Sequence, residues 1–364
     1  MTKLILSTGN IVSGGPSIIR KPGAYRSNLE LTNSLRSNFL AAQQDYSAAA
    51  SPESEAEATT PAETNGFTNG RTSNGNITNG LNGHANGHLT NGNGNGHSTS
   101  NSNGSNSPRF DANGRPRLDI WTAHEDHTDT LYVPRIDWDL AGLQEEPSAY
   151  DVTVKLFFLP SASVADRARH ASEALALVRR ELDIERVDLL IASFPDMSFE
   201  GDCEWEADKR NAQQGDVEAE AATWAFLEDL QRQGLVSNLG IAEFGTEKLA
   251  AFLKKVNVRP AVDQINIHNC CNVPPPLIQL AKAEGIELLV HTDCTNVLPK
   301  GTLRELLGHG LQGAGVLVDP VEGHDGLRGE LEPQWVVKYT AFVKNRGVIE
   351  NKGYFAGAEL VAAA

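Results

Sequence analysis

Between Val152 and His291 the sequence alternates short apolar runs with longer amphipathic runs of helical period, and this alternation constrains the fold more than any other feature. Val152–Phe158, Val187–Ser193, Asn238–Ala242, Val262–Ile267 and Ile286–His291 read as buried strands. Ser163 opens a helix whose stripe is Val164, Ala168, Ala171, Leu175, Val178 and Leu182. Further helices run through Trp224, Leu227 and Leu230 to Gly234, across Thr246–Val256, and from Pro275 to Glu284 before Gly285. Parallel strands need a crossover connection, usually a helix, so repeated strand–helix units imply a parallel sheet with helices outside it.

The flanks extend the pattern. Lys3–Thr8 reads as a first strand, and Ser27-Asn-Leu-Glu30 as a capping box for a helix that buries Leu31, Leu35, Phe39 and Ala42. A last helix is expected at about Pro333–Asn345, then a short strand at Gly347–Glu350. That makes seven strands, and Leu118–Thr122 is the candidate for an eighth. The expected fold class is therefore α/β, a (β/α)8 TIM barrel. A doubly wound open sheet is the alternative, but no Gly-x-Gly-x-x-Gly follows the first strand.

The chain is longer than such a barrel requires, and the surplus is concentrated. Asn65–Asn106 holds 13 Asn and 10 Gly in 42 residues, with too few large apolar side chains to offset chain entropy. Residues 47–117 read as a disordered low-complexity insertion between a first barrel part at 1–46 and the remainder at 118–358, with 359–364 as a tail. His84, His88 and His97 lie in the insertion as polar filler, without the spacing of a metal site. The insertion is almost neutral, so the chain's formal charge of −16 belongs to the folded part. Such a surface repels phosphate backbones and anionic lipid, which argues against nucleic-acid and membrane partners. No apolar run is long enough to span a bilayer, and Met1–Ser7 lacks a secretory apolar core. Four cysteines, two of them adjacent, fit a reducing cytoplasm.

Several strings resemble the aldo-keto reductase barrel: Gly240-Ile-Ala-Glu-Phe-Gly245, Arg259-Pro-Ala-Val-Asp-Gln-Ile-Asn266 and Ala281-Lys-Ala-Glu-Gly-Ile286. Others narrow the likeness to the family of glutamate–cysteine ligase regulatory (modifier) subunits. They are Ser7-Thr-Gly-Asn10, Lys155-Leu-Phe, Ile191-Ala-Ser-Phe-Pro195, Asn269-Cys-Cys271 with Pro274-Pro275, and Val343-Lys-Asn-Arg-Gly-Val-Ile-Glu-Asn-Lys-Gly-Tyr354. The resemblance covers about residues 1–45 and 118–358. It implies a non-catalytic chain that docks on the glutamate–cysteine ligase catalytic subunit, improves glutamate use and weakens feedback inhibition by glutathione.

Reductase chemistry in the superfamily needs a tyrosine acid, a lysine and aspartate that tune it, and an orienting histidine. Lys155 stands where the superfamily places its lysine, but the histidine position is Ser193, and the Gly-x-Asp-Thr-Ala-x-x-Tyr string is missing. Asp126 and Tyr132 lie in the corresponding stretch with different spacing. Catalytic residues are therefore expected to be absent, with Lys155 as a remnant. Cofactor contacts are thinned to Gln264, His291 and Lys352, and Ala242-Glu243 replaces an expected Ser-Asn pair, so no cofactor is expected to be required. A divergent NADPH-dependent reductase and an NADPH-binding redox sensor are the alternatives. Cys270 and Cys271, after the sixth strand, are candidates for partner contact or an inter-subunit disulfide. His268 and His291 suggest barrel-mouth polar residues, and no metal is expected.

Overall fold

The computed structural model describes residues 2–13, 27–49, 110, 114–266, 272–294, 296–318 and 326–362. Residues 1–49 and 109–364 form one compact unit; residues 50–108, most of the expected insertion, lie outside the described residues. The strands are β1 (Lys3–Ser7), β2 (Ala123–His124), β3 (Thr130–Val133), β4 (Tyr150–Phe158), β5 (Val187–Ser193), β6 (Val236–Ala242), β7 (Val262–Asn266), β8 (Glu287–His291), β9 (Glu330–Val343) and β10 (Val348–Val361). Eight α-helices are described: α1 (Ser27–Ala49), α2 (Leu118–Trp121), α3 (Val164–Leu182), α4 (Glu204–Asn211), α5 (Val217–Arg232), α6 (Thr246–Leu253), α7 (Pro275–Glu284) and α8 (Thr302–Leu307).

From β4 to β8 each neighbouring pair is parallel, and helices α3 to α7 fill the crossovers. This is the α/β arrangement the alternation demanded. Helix α3 starts as expected: the Ser163 hydroxyl accepts from Asp166 N at 3.2 Å, and Asp166 accepts from Ser163 N at 3.3 Å.

Strand alternation then sorts the layers. Val152, Val154, Leu156 and Phe158 of β4 point to the helical layer and join its core with Leu175, Val178, Trp224, Leu227 and Phe252. Thr153, Lys155 and Phe157 point the other way, into the curl of the sheet. Phe157 belongs to a second core with Leu4, Leu6, Leu31, Leu35, Phe39 and Leu306. Five steps separate β9 from β8, which would be about 24 Å in a flat sheet at about 4.8 Å per step. Yet Lys338 of β9 lies 2.9 Å from Asp293, two residues past β8. The sheet therefore curls round on itself as a barrel does.

Three expectations are corrected. Pro333–Asn345 is not a helix. Pro333–Val343 lies in β9, with Lys344 and Asn345 in the turn after it, and β9 forms a long antiparallel hairpin with β10, so the short strand expected at Gly347–Glu350 is the start of a strand of 14 residues. The segment carries three Val with Trp335, Tyr339, Thr340 and Phe342, and its side chains pack on both faces, which suits a strand. Leu118–Thr122 is not a strand either: Leu118–Trp121 forms the short α2, and the strand beside β1 is β3. The hairpin sits between β1 and β4 and pairs antiparallel with both.

The expected boundaries also move. Helix α1 runs to Ala49, Phe110 bridges to Pro116, and β10 continues through Glu359–Val361, the start of the presumed tail.

Candidate functional site

The curl brings charged groups from distant strands together. Lys155 of β4 and Lys338 of β9 are direct partners across an antiparallel pair, on the face turned into the barrel. Like charges opposed in this way repel. Asp293 answers both: its Oδ2 accepts from Lys155 Nζ at 3.0 Å and its Oδ1 from Lys338 Nζ at 2.9 Å. Lys155 also donates to Gln264 Oε1 on β7 at 3.1 Å. Lys155 is 4% exposed, so its ammonium depends on these partners.

Electrostatics follow from burial and pairing. Burial pushes the Lys155 ammonium down, against the pull of the Asp293 carboxylate. Burial works to raise the Asp293 carboxyl, but Lys155, Lys338 and His291 outweigh it and hold Asp293 well below the usual carboxylate range. Behind them, Glu243 and His291 approach at 2.7 Å, Oε1 to Nε2. Glu243 sits at φ +68, in the left-handed region, where its N–H donates to Gln264 O at 2.8 Å. Asp263 is fully buried, and its Oδ1 accepts only a long bond, 3.4 Å, from Phe244 N. Burial pushes its carboxyl well above the usual range, which favours the neutral acid.

A cavity of about 280 Å³ opens beside the lysines, lined by Thr153, Lys155, Gln264, His291, Asp293 and Lys338 with their neighbours. Of the residues singled out in the sequence, Lys155, Gln264 and His291 meet here. Lys352 does not: it pairs with Glu30 Oε1 at 2.7 Å. The Glu30 carboxylate, expected to turn back on the start of its helix, instead accepts from Lys352 and from the Tyr354 hydroxyl. Cys270, Cys271 and His268 lie outside the described residues. Lys338 was hidden by the helical reading of its segment. Among the described residues no group of three His, Cys, Asp or Glu side chains is placed to hold a metal ion. Nor is any helix long and apolar enough to cross a membrane.

The reductase constellation can be tested directly. The hydrogen-bond partners of Lys155 Nζ are Gln264 and Asp293. The hydroxyls of Tyr132, Tyr150, Tyr339 and Tyr354 go instead to Glu125, Glu350, Glu181 and Glu30. A nicotinamide dinucleotide fits this set poorly. The Gln264 amide oxygen is taken by Lys155, His291 is held at Glu243, and Lys352 is neutralised by Glu30 before any phosphate arrives.

The aldo/keto reductase family profile matches residues 141–305. A putative glutamate–cysteine ligase regulatory subunit of Schizosaccharomyces pombe is 26% identical over 225 residues, covering 59% of this chain and 72% of the relative. The glutamate–cysteine ligase regulatory subunit of Homo sapiens is 28% identical over 131 residues, covering 36% of this chain and 43% of the relative, less than half its length. Among solved structures, an aldose reductase from Schistosoma japonicum matches with 25% identity and a TM-score of 0.28, over 37% of this chain and 43% of that chain. Residues 141–305 thus resemble the aldo/keto reductase family, and the chain is similar to glutamate–cysteine ligase regulatory subunits.

Proposed function

We propose that this chain is a regulatory subunit of glutamate–cysteine ligase with no catalytic residues of its own. In this reading it forms a heterodimer with the catalytic subunit in the cytoplasm, improves the use of glutamate and relieves feedback inhibition by glutathione in glutathione biosynthesis. It needs no cofactor. The observation that carries the proposal is the state of Lys155: the superfamily's lysine is spent on Asp293 and Gln264, and no described tyrosine hydroxyl is bonded to it. The names of the relatives support the regulatory part. Regulation of this kind requires that the barrel bind the glutamate-competent conformation of its partner more tightly than the inhibited one.

The test is co-purification with the catalytic subunit, followed by ligase kinetics with and without this chain. The expected result is a lower apparent KM for glutamate and a higher glutathione concentration for half-inhibition. A tenfold change corresponds to about 1.4 kcal/mol of coupling. Failure to form a complex at micromolar concentrations would overturn the assignment. So would NADPH-driven reduction of an aldehyde by this chain that is lost in Lys155→Met.

A further inference from the structure

The paired strands β4 and β9 carry a ladder of polar side chains into the barrel, and its donors exceed its acceptors. Lys155 faces Lys338, and one step along, on the same face, Thr153 faces Thr340. All four line the cavity of about 280 Å³. Each ammonium carries three donors. Lys155 uses two, on Gln264 and Asp293, and Lys338 uses one, on Asp293, so three N–H groups remain for the cavity. The Thr153 and Thr340 hydroxyls have no hydrogen-bond partner among the described residues. The lining thus has two ammoniums against one carboxylate, and both oxygens of that carboxylate are already bonded. Glu243, the nearest further acid in the cluster, is turned onto His291 and does not line the space.

The geometry points to a binding site for a small organic carboxylate, held between Lys155 and Lys338 with the Thr153 and Thr340 hydroxyls completing its contacts. The physical drive is the unbalanced ammonium. Two buried or half-buried lysines opposed across a strand pair destabilise each other, and Asp293, the one carboxylate in the lining, is shared between them, with Glu243 acting on Lys155 from outside the lining. A carboxylate entering the cavity adds a negative charge beside both ammoniums and accepts charge-assisted hydrogen bonds from N–H groups that have no hydrogen-bond acceptor among the described residues. The cavity volume suits a compact acid rather than a nucleotide, since drug-sized ligands occupy about 300–1,000 Å³. One half of the site comes from β9, so occupancy ties the hairpin to the parallel strands. The inference does not rest on the regulatory reading.

The experiment is titration of the full chain with succinate, with inorganic phosphate and sodium chloride as comparison arms, followed by calorimetry and by the melting temperature. Succinate is expected to bind saturably at millimolar or lower concentration and to raise the melting temperature, with chloride at equal ionic strength having no such effect. Lys338→Met is expected to weaken binding at least tenfold, and paired Thr153→Val and Thr340→Val changes by about threefold to tenfold. Asp293→Asn removes the competing carboxylate and is expected to tighten binding, a change of opposite sign that simple loss of structure does not produce. Should Asp293→Asn fail to fold, Lys338→Met, checked by circular dichroism, still decides. Absence of saturable succinate binding, or binding unaffected by Lys338→Met in a folded protein, overturns the proposal. Tight phosphate binding without succinate binding does the same.

Discussion

The parallel half of the barrel, β4 to β8, and the β9–β10 hairpin are held by different physics. The parallel strands are sealed by apolar contact: Leu156, Leu190, Leu239 and Ile265 meet the helical layer with Trp224, Leu227 and Phe252 behind them. Hydrophobic attachment of this kind is broad and non-directional. The hairpin adds a second system, a series of side chains bonded to carboxylates. Trp335 Nε1 donates to Glu173 at 3.1 Å and the Tyr339 hydroxyl to Glu181 at 3.3 Å. Lys338 donates to Asp293, and Lys352 and Tyr354 to Glu30, while Tyr150 of β4 reaches Glu350 of β10. Apolar packing gives stability over a wide range of arrangements, whereas directional bonds fix one position. The lesson is that a strand pair inserted into a parallel barrel is located by its polar ties.

That contrast can be broken most forcefully at Asp293. Asp293→Ala leaves Lys155 buried without its carboxylate, and removal of one partner from a buried pair costs about 3–5 kcal/mol. Denaturant unfolding measures it; a loss below about 1 kcal/mol would mean that apolar packing alone secures the hairpin.

Next in size is the packing of the hairpin itself. Gly357 lies opposite Trp335, and a Cβ there would come within 2.5 Å of the indole; Gly353 lies opposite Tyr339 in the same relation. Gly357→Val is expected to cost about 1–3 kcal/mol through overpacking, read as a fall in melting temperature. If melting is unchanged, the aromatic rings do not need the space the glycines leave.

Acidity offers a third handle. Burial pushes the Glu181 carboxyl up to about 7, against a small opposing pull from the Tyr339 bond. Between its usual value of 4.5 and about 7, the folded chain keeps a proton that the unfolded chain releases. This contribution is full below pH 4.5 and is lost as pH rises to about 7. Glu181→Gln should flatten that fall, by an amount on the order of 1–2 kcal/mol, in melting curves recorded from pH 4.5 to 8. A variant with the wild-type slope would show that Glu181 is not the group responsible.

The smallest effect separates the two kinds of tie at the surface. Lys352→Met, cutting the link from β10 to α1, is expected to cost up to about 1 kcal/mol. Arg210→Ala, which removes an exposed pair with Glu206 on α4, should cost about 0–0.5 kcal/mol. Chemical unfolding of the two variants side by side checks the ranking, and equal losses would erase the distinction.

Sequence periodicity made the parallel half legible because its strands are apolar and its helices carry caps such as Ser163 and stops such as Gly234 and Gly285. The hairpin was obscured for a local reason. Pro333 ahead of an apolar run imitates the start of a helix, and Val336, Val337 and Thr340, which favour a strand, were outweighed. That one misreading also hid Lys338. Lys155, Gln264 and His291 were visible through resemblance, and the spacing of His291 and Asp293 paired those two, but the bonds of Lys155 and Lys338 to Asp293 were not visible, because they depend on curl across the strand steps between β9 and β8. No local pattern in the sequence encodes a closure of that length.

The place of the hairpin in the sheet has a consequence for assembly. Although β9 and β10 are the last strands in chain order, they lie in the middle of the sheet, between β1 and β4. Lys3 pairs with Glu359 across nearly the whole chain and Phe158 with Trp335 across about half of it, and such distant contacts close slowly. Until they form, both β1 and β4 present an open edge, and open edges invite pairing with other chains. During synthesis this barrel therefore passes through a stage in which most of its helices can be in place while its sheet remains split in two. In that interval the parallel half is most exposed to aggregation and most dependent on whatever shields it.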